Sequence, residues 1–460
     1  MKFLISLISF VTIVFSITAN QMSSVYNLSH DNVLPVNTLS SFPKKILPSE
    51  TVYQTIKKEL SLNGKPTLNL ATFVNTEMEP NANKLMNENL PYNYIDLSEY
   101  RVFPEINERC VKMIADLFNL KNPEKAYGTS TIGSSEAIML ALLAAKKRWQ
   151  IERKKNGLSI EHPNIVFTAD VHTCWEKFAN YFDVEARIIP IDDKMFVMDI
   201  KEVDKLIDEN TIAAGVVVGT TFTGSNDNVK KLNDHLLNLK KYKNIDIPIH
   251  VDAASAGFVY PFTSPDLLWD FRLEQVKSIN ASGHKFGLVY PGIGWVIFKN
   301  KSMVPDELIY KINYLGGEME NFSINFSRSA SNLVAQYYNF LRFGREGYTK
   351  IMKNTITNSS YLGKALQKIR NFEIINDGTI FPMVCFRLKD ETKYTVFELS
   401  DKLRQQGWIV PAYTLPSKAK NIAVMRIVVR PIINRTLIDA LYTAISSVVK
   451  SLENQKITHS

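Results

Sequence analysis

Apolar residues recur along this chain in two periods, and the alternation between them predicts the fold. Short apolar runs at Ile165–Thr168, Ala186–Ile191, Gly215–Val218, Ile247–Val251, Ser278–Ala281 and Trp295–Phe298 read as buried strands. Helix-period segments such as Ser135–Lys155 and Asn228–Lys240 lie between them. Upstream, residues 108–120 place Cys110, Met113, Ile114 and Leu117 on one helical face. Strands alternating with helices predict an α/β domain with a mainly parallel sheet. After Phe340–Glu346 the pattern changes. Residues 347–450 read as a long helix, short strands at Val384–Arg387, Ile409–Pro411 and Met425–Val429, and a last helix, Leu437–Leu452. That combination predicts a smaller α+β domain. Residues 20–60 are polar and irregular, with Pro35, Pro43 and Pro48, and end in a short helix around Glu50–Leu60. The expected organisation is a segment 1–19, an arm 20–65, a large domain 66–345, a small domain 346–450 and a tail 451–460.

Composition narrows the class. With 45% apolar and 22% charged residues over 460 positions, the chain is an ordinary globular protein, not a disordered tail, a collagen or a polytopic membrane protein. Three cysteines exclude a disulfide scaffold. The net charge of +8 invites a nucleic-acid reading. The last 60 residues hold nine basic and three acidic residues, but scattered, which describes a solvated basic face. No nucleic-acid partner is expected. Residues 1–19, MKFLISLISFVTIVFSITA, carry one charge, Lys2, before an apolar stretch ending in small residues. This reads as a secretory signal or an uncleaved membrane anchor, against the alternative of an intracellular protein.

Four short segments carry candidate chemistry. Ser282-Gly283-His284-Lys285 follows the run Ser278–Ala281. A lysine inside an apolar segment has a lowered pKa and can attack an aldehyde to form a Schiff base. His250-Val251-Asp252-Ala253-Ala254 ends an apolar run, where open α/β sheets place ligand groups. A carboxylate there could keep a ring nitrogen protonated, or simply cap the next turn. Thr131-Ile132-Gly133-Ser134-Ser135-Glu136-Ala137 opens a helix, offering N–H and O–H donors to a phosphate or an ordinary N-cap. Thr220-Thr221-Phe222-Thr223-Gly224 is a hydroxyl-rich turn after a strand. A phosphate cradle, an acid and an amine at loop ends of one sheet are what a pyridoxal phosphate enzyme needs. No metal site is read from the sequence.

With these segments in place, the chain resembles the bacterial and plant glutamate decarboxylases. These are pyridoxal-phosphate enzymes of the aspartate aminotransferase-like fold (fold type I). The resemblance runs from about Thr51 to the C-terminus. It is carried by Asn69-Leu-Ala-Thr-Phe73, Gly133–Ala137, His250–Ala254, Trp269-Asp-Phe-Arg272, Ser278–Gly287, Tyr314-Leu-Gly-Gly317 and Asn325-Phe-Ser-Arg328. It implies pyridoxal 5'-phosphate held at Lys285, with Asp252 on the pyridine nitrogen and Ala254 under the ring. It further implies Ser134, Ser135 and His284 at the phosphate, and Thr221 at the cofactor. Ser327 would reach a neighbouring subunit's phosphate, so a dimer or hexamer is expected. Arg426 would receive the substrate α-carboxylate, and Thr72, Phe73 and Asp96 would form the distal-carboxylate pocket. Tyr314 would lie on a loop bordering the site and, with Lys285 or His172, is a candidate Cα proton donor.

One position departs from the closest bacterial pattern: His172 stands where a Gln stacks on the ring, as in the broader decarboxylase superfamily. His459 in the tail matches a penultimate His that closes the site at neutral pH in acid-induced relatives. The implied reaction is L-glutamate to 4-aminobutyrate and carbon dioxide, consuming a proton and suiting a role in acid resistance. The alternative is another substrate such as aspartate, cysteate or an aromatic amino acid. The family implies a cytoplasmic enzyme, whereas residues 1–19 point to export or anchoring.

Overall fold

The computed structural model describes residues 41–43, 46–96, 99–193, 195–312 and 319–455. Residues 1–19, Tyr314 and His459 lie outside the described residues. In the unit ending at Lys65, the helix Ser49–Leu60 has Glu50 in its first turn and Lys57 and Lys58 in its last. That charge order complements the helix dipole. Among the described residues, no helix is long and apolar enough to cross a membrane.

The unit Pro66–Ser460 contains a large and a small sheet. The large sheet has seven strands: β1 (Tyr127–Thr131), β2 (Asn164–Thr168), β3 (Glu185–Ile189), β4 (Thr211–Val217), β5 (Ile249–Asp252), β6 (Val276–Ala281) and β7 (Gly294–Phe298). Their spatial order is β1-β7-β6-β5-β4-β2-β3. Strands β2 to β6 pair in parallel, and β7 runs antiparallel to both neighbours. Every residue of β2 and β4 is buried, so these strands read as unbroken apolar runs, as parallel strands covered on both faces should. The chain leaves β1 at one edge and enters β2 near the other. That reversal opens a crevice at the carboxyl ends of the central strands. The helix Ser134–Lys155 crosses the sheet, packing Ala137, Leu140, Ala141 and Ala144 on Val296 and Phe298.

The small sheet is antiparallel, in the order β10 (Phe372–Asp377), β11 (Met383–Leu388), β13 (Ala423–Val428), β12 (Ala412–Thr414). Helices Ser331–Leu366, Val396–Gln405 and Arg435–Gln455 give it its own core, built around Leu362, Phe386, Leu399, Ile427 and Ile445. A hairpin of β8 (Tyr310–Ile312) and β9 (Met319–Asn321) completes the strands. At Gly344, φ of +54° breaks the long helix, at the place where the sequence pattern changes.

Three expectations change. The strand anticipated at Ile409–Pro411 lies at Ala412–Thr414. Ile409 makes only an isolated bridge to Asn69, and Pro411 has no N–H for a ladder. Met113 is exposed, because the helix Val102–Leu117 turns Phe103, Ile106, Cys110, Val111 and Ile114 inward instead. Strand β1 (Tyr-Gly-Thr-Ser-Thr) and the helix Val396–Gln405 were not anticipated. The helix carries a full capping box between Thr395 and Glu398. Cys110, Cys174 and Cys385 are all free and buried.

Candidate active site

The central strands end at one cavity of about 310 Å³, at the small end of the range for ligand sites. It is lined by Ser134, Ser135, His172, Thr221, Asp252, Ala254, His284 and Lys285. The geometry thus brings together eight residues from four separate sequence segments and the turn carrying His172.

Lys285 lies in the turn after β6. Its Nζ donates to Ser255 Oγ at 3.0 Å and stands 5.3 Å from the centre of the Phe73 ring. Burial holds its pKa below the ordinary ammonium range, against the opposing pull of the Asp252 carboxylate, and the Arg426 charge adds to the lowering. The amine is therefore easier to deprotonate than a surface lysine, as a nucleophile requires.

Asp252 ends β5 and is buried. Its Oδ1 accepts from Asn280 Nδ2 (2.9 Å) and from the Ala254 N–H (3.0 Å), and its Oδ2 accepts from Trp175 Nε1 (3.2 Å). Three donors around one carboxylate fix its direction.

The helix Ser134–Lys155, whose start also lines the cavity, begins at Ser134 after extended Gly133. A Cβ on Gly294 would lie 2.5 Å from the Gly133 carbonyl carbon, so only glycine lets β7 approach this turn. Ser134 and Ser282 hydroxyls meet at 2.7 Å. His284 is neutral, its pKa pushed down to about 4 by burial and by Lys285, and its Nδ1 is buried without a hydrogen-bond partner. Unpaired helix N–H groups, two hydroxyls and this ring nitrogen suit a phosphate. With Asp252 and Lys285 lining the same cavity, its residues fit pyridoxal phosphate.

His172 lies on the turn after β2. Its Nδ1 accepts the Cys174 N–H at 3.3 Å, which leaves Nε2 to carry the proton in the neutral ring. Its pKa is held below the ordinary imidazole range, chiefly by desolvation.

Thr72, Phe73 and Arg426 do not themselves line the cavity; Arg426 adjoins its wall from β13 of the small sheet. It donates to the Ala71 carbonyl at 3.1 Å and to the Thr221 carbonyl, and its guanidinium lies 5.3 Å from both the Phe73 and Tyr413 ring centres. Thr72 Oγ1 accepts the Val74 N–H in the same segment. Asp96 and Ser327 are not among the cavity-lining residues. Both meet Asn93, whose Nδ2 lies 3.3 Å from Asp96 Oδ1 and 3.5 Å from Ser327 Oγ.

Sequence reasoning missed two residues here. Glu136 is buried, accepting the Ile132 N–H with Oε2 and the Ile324 and Asn325 N–H groups with Oε1. It ties the phosphate-side turn to the segment that carries Ser327. Asp170 also lines the cavity, its carboxyl pushed up to about 7 by burial and by the carboxylate of Asp227. A Glu at the third position of the helix opened by Ser134 was the available signal for the first, whereas Asp170 gave none. Among the described residues, no group of three or more His, Cys, Asp or Glu could hold a metal ion.

Residues 43–389 match the pyridoxal-dependent decarboxylase conserved domain. Glutamate decarboxylase 5 of Arabidopsis thaliana is 48% identical over 421 residues, covering 91% of this chain and 85% of the relative. Glutamate decarboxylase beta of Listeria innocua is 44% identical over 433 residues, 93% of each. Among solved structures, a Lactobacillus brevis glutamate decarboxylase superposes with a TM-score of 0.87 at 42% identity, covering 90% of this chain and 95% of that one.

Proposed function

The chain belongs to the pyridoxal-dependent decarboxylase family, and on that footing we propose that it converts L-glutamate to 4-aminobutyrate and carbon dioxide. Pyridoxal phosphate, when bound, supplies the sink for the electron pair left as the carboxylate departs.

The chain's own residues do the rest. Lys285 would hold the cofactor through its amine. Ser134, Ser135 and His284 would hold the phosphate, with His172 and Ala254 flanking the ring and Thr221 beside it. Asp252 would keep a proton on the ring nitrogen. Arg426 would receive the α-carboxylate, its planar fork matching two carboxylate oxygens. The distal carboxylate falls to Thr72, Phe73 and Asp96, with Ser327 serving across a subunit interface of a dimer or hexamer. Tyr314, Lys285 or His172 would return the proton to Cα.

The observation that carries the proposal is the position of Phe73. Its ring centre lies 5.3 Å from both Lys285 Nζ and the Arg426 guanidinium. A carboxylate receiver and the reactive amine therefore share one aromatic neighbour, which suits an amino-acid substrate whose α-carboxylate must be oriented. The cofactor-loaded protein should release carbon dioxide from L-glutamate and leave 4-aminobutyrate. Release from aspartate, cysteate or an aromatic amino acid, with none from glutamate, would overturn the substrate assignment.

The same reading places the enzyme in the cytoplasm, where glutamate and the cofactor are abundant, and gives proton consumption a use in acid resistance. His459 would close the site at neutral pH. Deleting residues 456–460 should then raise activity there, and an unchanged pH profile would remove that role.

A further inference from the structure

We propose that His250 and Asn280 are positioning residues that hold the Asp252 carboxylate aimed at the cofactor ring nitrogen. The proposal rests on reading the cavity as a pyridoxal phosphate site. Neither residue lines the cavity.

Strands β5 and β6 pair in parallel, with Ile249 opposite Val276 but His250 opposite Ser278. That one-residue shift decides the chemistry. Regular pairing would set Lys277 against His250 and Ile279 against Asp252. The shifted register sets Ser278 and Asn280 there instead.

The result is a chain of hydrogen bonds between buried groups. Ser278 Oγ lies 2.8 Å from His250 Nδ1, His250 Nε2 lies 2.9 Å from Asn280 Oδ1, and Asn280 Nδ2 lies 2.9 Å from Asp252 Oδ1. Donor and acceptor chemistry gives the chain one direction. Asn280 presents its NH₂ to the carboxylate, so its oxygen faces His250 and must accept. His250 therefore carries its proton on Nε2. Burial keeps the ring neutral, with its pKa pushed down to about 4, so Nδ1 accepts from the Ser278 hydroxyl.

Each donor points toward Asp252. A carboxylate that already accepts hydrogen bonds is a weaker base, so a proton shared with a ring nitrogen stays on the nitrogen. Cutting the chain should move that proton off the ring nitrogen.

The test uses enzyme loaded with pyridoxal phosphate labelled with ¹⁵N in the ring. The nitrogen chemical shift reports the ring's protonation directly, separately from activity. In the unaltered enzyme the shift should be that of a protonated ring. Absence of any such bound signal would count against the cofactor reading itself, not against the relay. Asn280→Leu and His250→Leu should move the shift toward a neutral pyridine and lower kcat about tenfold, with KM within about twofold. His250→Gln retains one donor for Asn280 and one acceptor for Ser278, and should restore both readouts. Asn280→Ala, which leaves space instead of strain, asks the same question if a leucine is not accommodated. An unchanged nitrogen shift in the folded Asn280 variants would overturn the proposal.

Discussion

The indole of Trp175 occupies the space that a side chain on Gly215 would need: a Cβ at position 215 would lie 2.2 Å from Trp175 Cζ3. Strand β4 is fully buried, so the ring has no room to withdraw. The missing side chain lets Trp175 lie close enough to donate to Asp252 Oδ2. Gly215→Ala should therefore displace the indole, cost on the order of 1–3 kcal/mol of stability through overpacking, and lower kcat more than it raises KM. Thermal unfolding and steady-state kinetics measure the two effects. Unchanged values for both would mean that the strand yields and the Trp175 contact is dispensable.

Lys285→Ala should remove the visible absorption band of the bound cofactor and reduce turnover by about three orders of magnitude or more. The variant should fold, because Nζ makes one side-chain hydrogen bond, to Ser255. Persistence of the band would assign the cofactor to a different amine.

Glu136 spends its charge on three backbone N–H groups from two distant segments. Glu136→Gln keeps the shape but replaces one accepting oxygen with a donor, leaving at least one of those N–H groups without a partner. The phosphate-side turn should loosen, so the dissociation constant for pyridoxal phosphate should rise about tenfold, with kcat near its original value at saturating cofactor. Fluorescence titration of the cofactor-free enzyme would show this, and unaltered affinity would restrict Glu136 to a structural role.

The parts of this site that are local in sequence were legible there. Lys285 and Asp252 each follow an apolar run, and the end of a central parallel strand is where a sheet presents ligand groups. The helix opening at Ser134 could be read from Gly133 and the serines that follow. Relationships set by register and tertiary packing could not. The β5–β6 shift that brings Asn280 opposite Asp252 leaves no mark in either strand taken alone. Strand β1 is polar because it lies at the sheet edge, paired only to β7, and so escaped an apolar-run reading. Arg426 looks like any strand arginine until the small sheet carries it to Phe73, and only family resemblance singled it out in advance.

Asp170 and Asp227 should make the pH dependence of stability unusual for an acidic pair. Both are buried and raised, Asp170 to about 7 and Asp227 to about 6, from an ordinary value of 3.8. Between about pH 4 and pH 7 the folded state therefore binds protons that the unfolded chain has released. The pair contributes stability at the acid side, which is lost as pH rises through 6 to 7. His250 and His284 act in the opposite sense. Their folded values near 4 lie below the ordinary 6.5, so the unfolded chain binds the extra protons and stability falls as pH drops through that window. The two groups offset each other, which should flatten the stability profile between pH 5 and 7. Asp170→Asn removes one side of that balance. The variant should be more stable than the parent at pH 8, by on the order of 1–3 kcal/mol, and the gain should shrink toward zero near pH 4. Denaturant unfolding at pH 5, 6.5 and 8 would reveal the trend. A gain that is constant with pH would mean that Asp170 is ionised in the folded protein throughout this range, as it is in the unfolded chain, and that burial does not raise it.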